Sequence, residues 1–255
     1  CRPRRRRAAM AVNSARLPEA AAGRAHSCST CAFTNLCRND GIDENVVAQV
    51  EALLVDETSQ YAEGQHIFRE GDPFDSIAAV RGGTVKTYVL DREGREQVLG
   101  FHLPGEVVGL NAIHSQSFPC NALALEPVVL CRFSFRRMSE LAALIPDLQS
   151  RLFRLLSEDI GKAALLSGDF SADERMAAFL LSLSRRYARR GFSPTRFNLT
   201  MPRTDIANYL RLAPETVSRV LRRFRDDGIT QIDRRDLRLL DIGRLESLAL
   251  PVLRH

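Results

Sequence analysis

Residues 201–241 read "MPRTDIANYLRLAPETVSRVLRRFRDDGITQIDRRDLRLLD", and this stretch decides how the chain is organised. Its first part predicts a short helix over 203–210, with Ile206, Ala207 and Leu210 on one face. A break is expected at Arg211-Leu212-Ala213. A second helix then begins at Pro214, whose missing N–H is not needed at a first helical position. Val217, Val220, Leu221 and Phe224 form its apolar stripe, while Glu215, Ser218, Arg219, Arg222 and Arg223 lie on other faces. Two short helices with a tight turn, and polar groups early in the second, suit a reader of the DNA major groove. Glu215 can accept from a cytosine amino group, and Arg219 can fork onto guanine O6 and N7. Arg222, Arg223 and Arg225 suit phosphates, which add affinity without sequence information. The residues that follow predict a hairpin, 229–232 and 237–241 around a polar turn, hence a wing. An ordinary helical pair with a charged surface would show the same periodicity.

Charge separates this end from the rest. The chain of 255 residues carries a formal +5, but the charge is unevenly spread. Arg2, Arg4, Arg5, Arg6 and Arg7 supply +5 by themselves, residues 8–170 carry 14 basic and 21 acidic side chains, and residues 171–255 carry 17 Arg and 10 acids. An acidic front and a basic back imply that the back meets a polyanion. A solvated Arg-rich surface is the plainer account, since the chain uses 34 Arg against 2 Lys. The 45% hydrophobic content suits a soluble globular protein of about two domains. No apolar run approaches the roughly 18 residues of a membrane span, and no apolar segment follows the basic N-terminus as in a secretory signal. Met10 is the expected start, with residues 1–9 an over-extension or a fragment end. Six unevenly placed cysteines and the lack of a signal predict a reducing, cytoplasmic setting.

Here the residues reach a family. "TDIANYL", "ETVSRVLRRF" and the Gly that follows resemble the C-terminal DNA-binding domain of the CRP/FNR transcription regulators. The Glu-Thr-Val-Ser-Arg run resembles the FNR branch, whose members read TTGAT inverted repeats. The resemblance implies that Glu215, Ser218 and Arg219 contact bases. Two positions depart from the family. Arg211 stands where Gly is common, which predicts strain in the turn, and Ala213 replaces a common Thr, removing an N-cap oxygen worth about 1 kcal/mol.

Residues 60–136 alternate apolar and polar side chains in short runs divided by Gly and Pro, the pattern of a small all-β unit. Gly64, Ile67, Phe68, Gly71, Asp72 and Gly82-Gly83 resemble the cyclic-nucleotide-binding β-roll of the same family. A cyclic phosphate needs a desolvated cation shortly after a Gly-Glu. Gly105-Glu106 is present, but residues 114–125, "HSQSFPCNALAL", contain no Arg or Lys. No cyclic nucleotide is therefore expected.

A helical region interrupted by Pro146 follows. Leu148, Leu152 and Leu155 form one stripe, and Phe153, Leu156, Ile160 and Ala163 a neighbouring one. One stripe can lie on the roll while the other forms a seam with a second subunit, making a homodimer whose two-fold symmetry matches a promoter palindrome. A single buried helix serving its own core is the alternative. The expected fold is α+β: a cyclic-nucleotide-binding-like β-roll (jelly roll), a long dimerisation helix and a C-terminal winged helix-turn-helix. The expected divisions are a disordered basic tail over 1–25, a sensor domain over 26–136, a dimerisation region over 137–169 and a DNA-binding domain over 170–255.

The stretch 26–37, "HSCSTCAFTNLC", places Cys28, Cys31 and Cys37 together. Four thiolates close a tetrahedral zinc site or an iron–sulfur cluster. From the residues alone the fourth could be Cys1, Cys120 or Cys131; Cys131, in "VVLCRFSF", also reads as a small core residue facing inward with Val129, Phe133 and Phe135, and Cys120 as a loop thiol. The spacing Cys-x2-Cys-x5-Cys resembles the FNR ligand set for an oxygen-labile [4Fe–4S] cluster. There the fourth ligand follows an Ala-Leu-Glu segment, here Ala124-Leu125-Glu126, which implies Cys131. Zinc is the structural alternative, with His26 as an incidental neighbour. The family further implies that 91–96, "DREGRE", touches RNA polymerase, although any β-roll would place an exposed turn there. No Ser/His/Asp set, phosphate-cradling loop or thioredoxin-like context accompanies these residues, so no enzyme is expected.

Overall fold

The computed structural model describes residues 54–164 and 168–253. Eight strands build the roll: β1 (Leu54–Tyr61), β2 (His66–Phe68), β3 (Ser76–Gly82), β4 (Val85–Leu90), β5 (Glu96–His102), β6 (Val107–Val108), β7 (Asn121–Ala124) and β8 (Val128–Ser134). They form two antiparallel four-stranded sheets, ordered β1-β8-β3-β6 and β2-β7-β4-β5. The alternating apolar residues point between the sheets, as their period of two demands. Ile77, Val85, Ala122, Ala124 and Leu130 are fully buried there, and Phe68 stacks on Phe118 with ring centroids 3.7 Å apart. Gly83 turns β3 into β4 with φ of 81°, and a Cβ at this position would lie 2.4 Å from the Pro127 carbonyl oxygen. Only glycine allows that approach.

The helical region divides at Ile145 into α1 (Phe135–Leu144) and α2 (Pro146–Ala164). The helical region expected over 137–169, with its interruption at Pro146, is thus two helices. Pro146 opens the second, where its missing N–H costs nothing. Met138, Ala142, Leu148 and Leu155 join the roll's core, with Leu152 half-buried against it.

The C-terminal unit begins with α3 (Ala172–Ala188), started by a capping box between Ser171 and Glu174. Next come β9 (Arg196–Asn198), α4 (Arg203–Leu210), α5 (Pro214–Asp226), β10 (Thr230–Asp233), β11 (Asp236–Leu239) and α6 (Ile242–Leu253). Both helices of the 201–241 stretch start where the sequence places them. The wing strands lie within two residues of the expected positions and pair as a hairpin, with β9 added to β11. The second core is built from α3, α4, α5 and α6, and Val98, Phe101, Leu103 and Leu125 of the roll enter it. The two units therefore share an apolar face. No described helix is long and apolar enough to cross a membrane.

Candidate nucleic-acid interface and cysteine site

α5 is divided sharply by exposure. Val217, Val220, Leu221 and Phe224 are buried to 5% or less. Glu215, Ser218, Arg219, Arg222 and Arg223 are all exposed. Glu215 and Ser218 sit within the first turn and a half, where a major-groove helix presents side chains to base edges. The Ser218 hydroxyl donates back to the Pro214 carbonyl (3.1 Å), and Arg219 donates to the Thr216 hydroxyl (3.1 Å). Arg223 is paired with Asp173 at the start of α3, so it ties two helices of this unit together. Sequence periodicity could not distinguish it from Arg222, because its partner lies fifty positions away.

The turn between α4 and α5 holds both departures noted above. Arg211 adopts the left-handed conformation (φ 56°, ψ 46°), and the N–H of Leu212 closes the turn on the Ala207 carbonyl at 2.8 Å. A non-glycine residue is strained there. Ala213 is the N-cap of α5, and no side chain caps that end.

Polar contacts anchor α4 to the roll. Lys86 of β4, buried to 5%, donates to Glu96 (2.7 Å) and Asp205 of α4 (3.1 Å). Burial works against this ammonium, but its bonds to Glu96 and Asp205 outweigh it and hold its pKa above the usual lysine value. The Thr200 hydroxyl donates to Thr84 at 2.9 Å. Phe101, Phe179 and Tyr209 meet edge-on or tilted between the units, with centroids 5.4 to 6.2 Å apart. These contacts were not singled out from sequence. A usable signal was a lysine inside the strand "TVKTYVL" of a chain that carries 34 Arg and only 2 Lys.

Glu106 also finds an unexpected environment. Its carboxylate is engaged by Arg186 of α3 and by Arg190 just past the end of that helix. Within the segment 114–125, Phe118, Cys120, Ala122 and Ala124 are buried, and the segment contains no Arg or Lys.

Loop 91–96 is an exposed turn ordered by Asp91. Its carboxylate accepts from the backbone N–H groups of Glu93 and Arg95, each at 2.9 Å, and from the Arg95 side chain at 2.7 Å. The hydrogen bonds from Arg95 hold the Asp91 carboxyl below the usual carboxylate range.

Cys28, Cys31 and Cys37 lie outside the described residues. Cys131 sits on β8 opposite Ala79 of β3 and is half-buried, packed against the roll's core. It does not share the depth of its neighbours Val128 (1% exposed) and Leu130 (0%), so its side chain is less enclosed than an inward-facing core position would make it. Cys120 is the reverse of the expected loop thiol. It is 0% exposed and accepts from the Asn111 amide at 3.3 Å, and burial pushes its pKa up. Along α2, Phe153 is 62% exposed and Leu156 is half-buried against the roll, while the side chains of Ile160 and Ala163 lie outside the described set.

Comparison with known proteins agrees with both units. The Crp-like helix-turn-helix domain matches residues 174–248, and the cyclic nucleotide-binding domain matches residues 58–143. The chain is 39% identical over 227 residues to the transcriptional activator protein FnrA of Stutzerimonas stutzeri, covering 87% of this chain and 92% of that protein. It is 38% identical over 230 residues to the fumarate and nitrate reduction regulatory protein of Escherichia coli K12, covering 89% and 92%. Among solved structures, FixK2 from Bradyrhizobium japonicum superposes with a TM-score of 0.67 at 30% identity, covering 76% of this chain and 98% of that one. With its helix-turn-helix exposed for DNA and its roll behind it, the chain belongs to the CRP/FNR family of DNA-binding transcription regulators.

Proposed function

We propose that this protein is a cytoplasmic, oxygen-responsive homodimeric regulator that reads TTGAT-type inverted repeats. The observation that carries the reading is the exposed row of Glu215, Ser218 and Arg219 on a helix whose opposite face is fully buried. Glu215 and Arg219 supply the acceptor and the forked donor for base edges, and Arg222 and Arg223 lie where phosphates would pass.

The signal is received by thiolates. Cys131 is the better fourth donor beside Cys28, Cys31 and Cys37, because Cys120 is fully enclosed while Cys131 is half-buried. Four thiolates suit a [4Fe–4S] cluster. When bound, the cluster supplies an oxygen-labile link between the N-terminal cysteine segment and β8. Cys131 then holds that segment just ahead of α1 and the α2 seam. With the link in place, Phe153, Leu156, Ile160 and Ala163 pair with a second copy and both α5 helices engage their half-sites together. Loss of the link in oxygen loosens the seam, and the affinity from simultaneous engagement goes with it. A chain whose 114–125 segment lacks any cation has no counter-charge for a cyclic nucleotide. Loop 91–96 is the surface offered to RNA polymerase. The protein acts by binding, not catalysis.

The test is protein purified without oxygen. Brown protein with about four iron per chain, bleaching in air, and binding a TTGAT palindrome over scrambled DNA supports the reading. Colourless, zinc-bearing protein would replace the oxygen sensor by a structural metal and leave DNA reading standing. No preference over scrambled DNA would sink the promoter-reading claim.

A further inference from the structure

A buried ionic triad joins the roll to the DNA-reading unit. Glu106 follows the turn after β5, with only 6% of its side chain exposed. Arg186 approaches as a fork, with Nε donating to Oε1 at 2.8 Å and Nη2 to Oε2 at 2.6 Å. The Leu103 N–H donates to Oε2 at 3.0 Å, and Arg190 lies 3.3 Å from Oε1. Arg186 also donates to the Phe101 carbonyl, and Arg190 donates to the Arg186 carbonyl at 2.8 Å. Arg186 lies in the last turn of α3 and Arg190 just beyond its end, with side chains 13% and 14% exposed.

A buried ion pair adds little net stability, because desolvation offsets its Coulomb attraction. What it can provide is a choice among arrangements. The surrounding contact of Phe101, Phe179 and Tyr209 is apolar and tolerates sliding, whereas a bidentate guanidinium–carboxylate pair is satisfied in one geometry. α3 packs against α5, so the register of α3 on the roll also places the recognition helix. Glu106 is itself tied to the strand beside Cys131. The Val80 N–H donates to the Glu106 carbonyl at 2.8 Å, the Gly105 N–H donates to the Val80 carbonyl at 2.6 Å, and the preceding residue Ala79 pairs with Cys131.

We infer that Glu106, Arg186 and Arg190 are positioning residues, a lock that fixes the orientation of the reading unit on the roll. The lock thereby sets the half-site spacing that a dimer accepts. The inference rests on the proposed paired reading of DNA by α5.

The test uses the full chain purified without oxygen, with palindromes whose half-sites are moved apart or together by one to three base pairs. Hydrogen exchange of β5 and α4 is measured in parallel. Wild type should favour one spacing. In Glu106→Gln the affinity ratio between that spacing and its neighbours should fall about tenfold, with the preference for TTGAT half-sites over scrambled ones retained. Protection of β5 and α4 should fall as well. Arg190→Gln removes the longer contact to Glu106 together with the bond to the Arg186 carbonyl, leaves the Arg186 fork in place, and should move both readouts in the same direction by less; it decides the matter if Glu106→Gln does not fold. Unchanged protection in a folded variant overturns the lock. Lost protection with unchanged spacing preference overturns its positioning role. If wild type prefers no palindrome but protection falls in the variants, the lock stands and the DNA reading fails.

Discussion

The side-chain amide of Asn208 pairs with the backbone at Val98: the Val98 N–H donates to Asn208 Oδ1 at 2.7 Å. The same amide donates to the Glu96 carbonyl at 2.6 Å, so one residue of α4 bonds the outer edge of β5 as a neighbouring strand would. An edge strand left with free backbone groups invites mispairing, and here a helix covers it.

Asn208→Ala should therefore leave the Val98 N–H without its acceptor beside a residue only 4% exposed. Urea denaturation is expected to show a loss of about 1–3 kcal/mol. An unchanged midpoint would mean that water replaces the amide at no cost.

The turn before the recognition helix can be improved. Ala213→Ser restores an N-cap acceptor for α5 and should add about 1 kcal/mol. Arg211→Gly relieves the left-handed backbone and should stabilise by up to about 1 kcal/mol, the relief exceeding the entropic cost of glycine. Thermal unfolding of both variants checks the signs.

Arg219 and Arg222 should fail in different ways. Arg219→Ala is expected to lose about 1–3 kcal/mol of discrimination at its own base pair. Arg222→Ala should weaken all sequences alike and lower the salt slope by about one unit. Affinities measured at several salt concentrations on matched and mismatched half-sites separate the two.

The two described cysteines should also part company. Cys131→Ala is expected to abolish iron retention in protein purified without oxygen. Cys120→Ala should retain iron and lose only packing, because the thiol is buried and carries an elevated pKa. Iron analysis with absorbance reads both, and iron lost from Cys120→Ala alone would reverse the assignment.

His66 makes the roll sensitive to acid. Burial lowers its pKa below 6.5, with Arg69 adding to the shift, and its Nε2 lies 2.9 Å from the Tyr88 hydroxyl. The unfolded chain then binds the proton more readily than the folded one. Its contribution to stability is present above pH 6.5 and is lost as pH falls from there toward the lower folded value. His66→Gln should flatten that part of the stability–pH curve measured by denaturant titration.

Much of this molecule was legible in the sequence. Pro214 and the Val217, Val220, Leu221, Phe224 stripe marked the recognition helix, and the period-two runs marked the roll. Both signals are local, because a residue's face on a helix or strand follows from its spacing to its neighbours. Cysteine spacing suggests a ligand set whose Cys28, Cys31 and Cys37 lie outside the described residues, and spacing alone does not rank Cys120 against Cys131. Depth in the fold separates them: Asn111 and the roll's core enclose one, and the other is half-buried on β8.

Only the tertiary structure decided how the two units meet. Glu106 reads from sequence as part of a nucleotide pocket, yet it serves Arg186 and Arg190 some eighty positions later. Asn208, in a helix whose periodicity marks only Ile206, Ala207 and Leu210, closes a sheet edge 110 positions earlier. Such pairs leave no periodic trace, since they arise where two separately patterned surfaces dock. The sequence alone determined the two units and the exposed reading face; the packing between them determined which carboxylate and which amide hold that face in place.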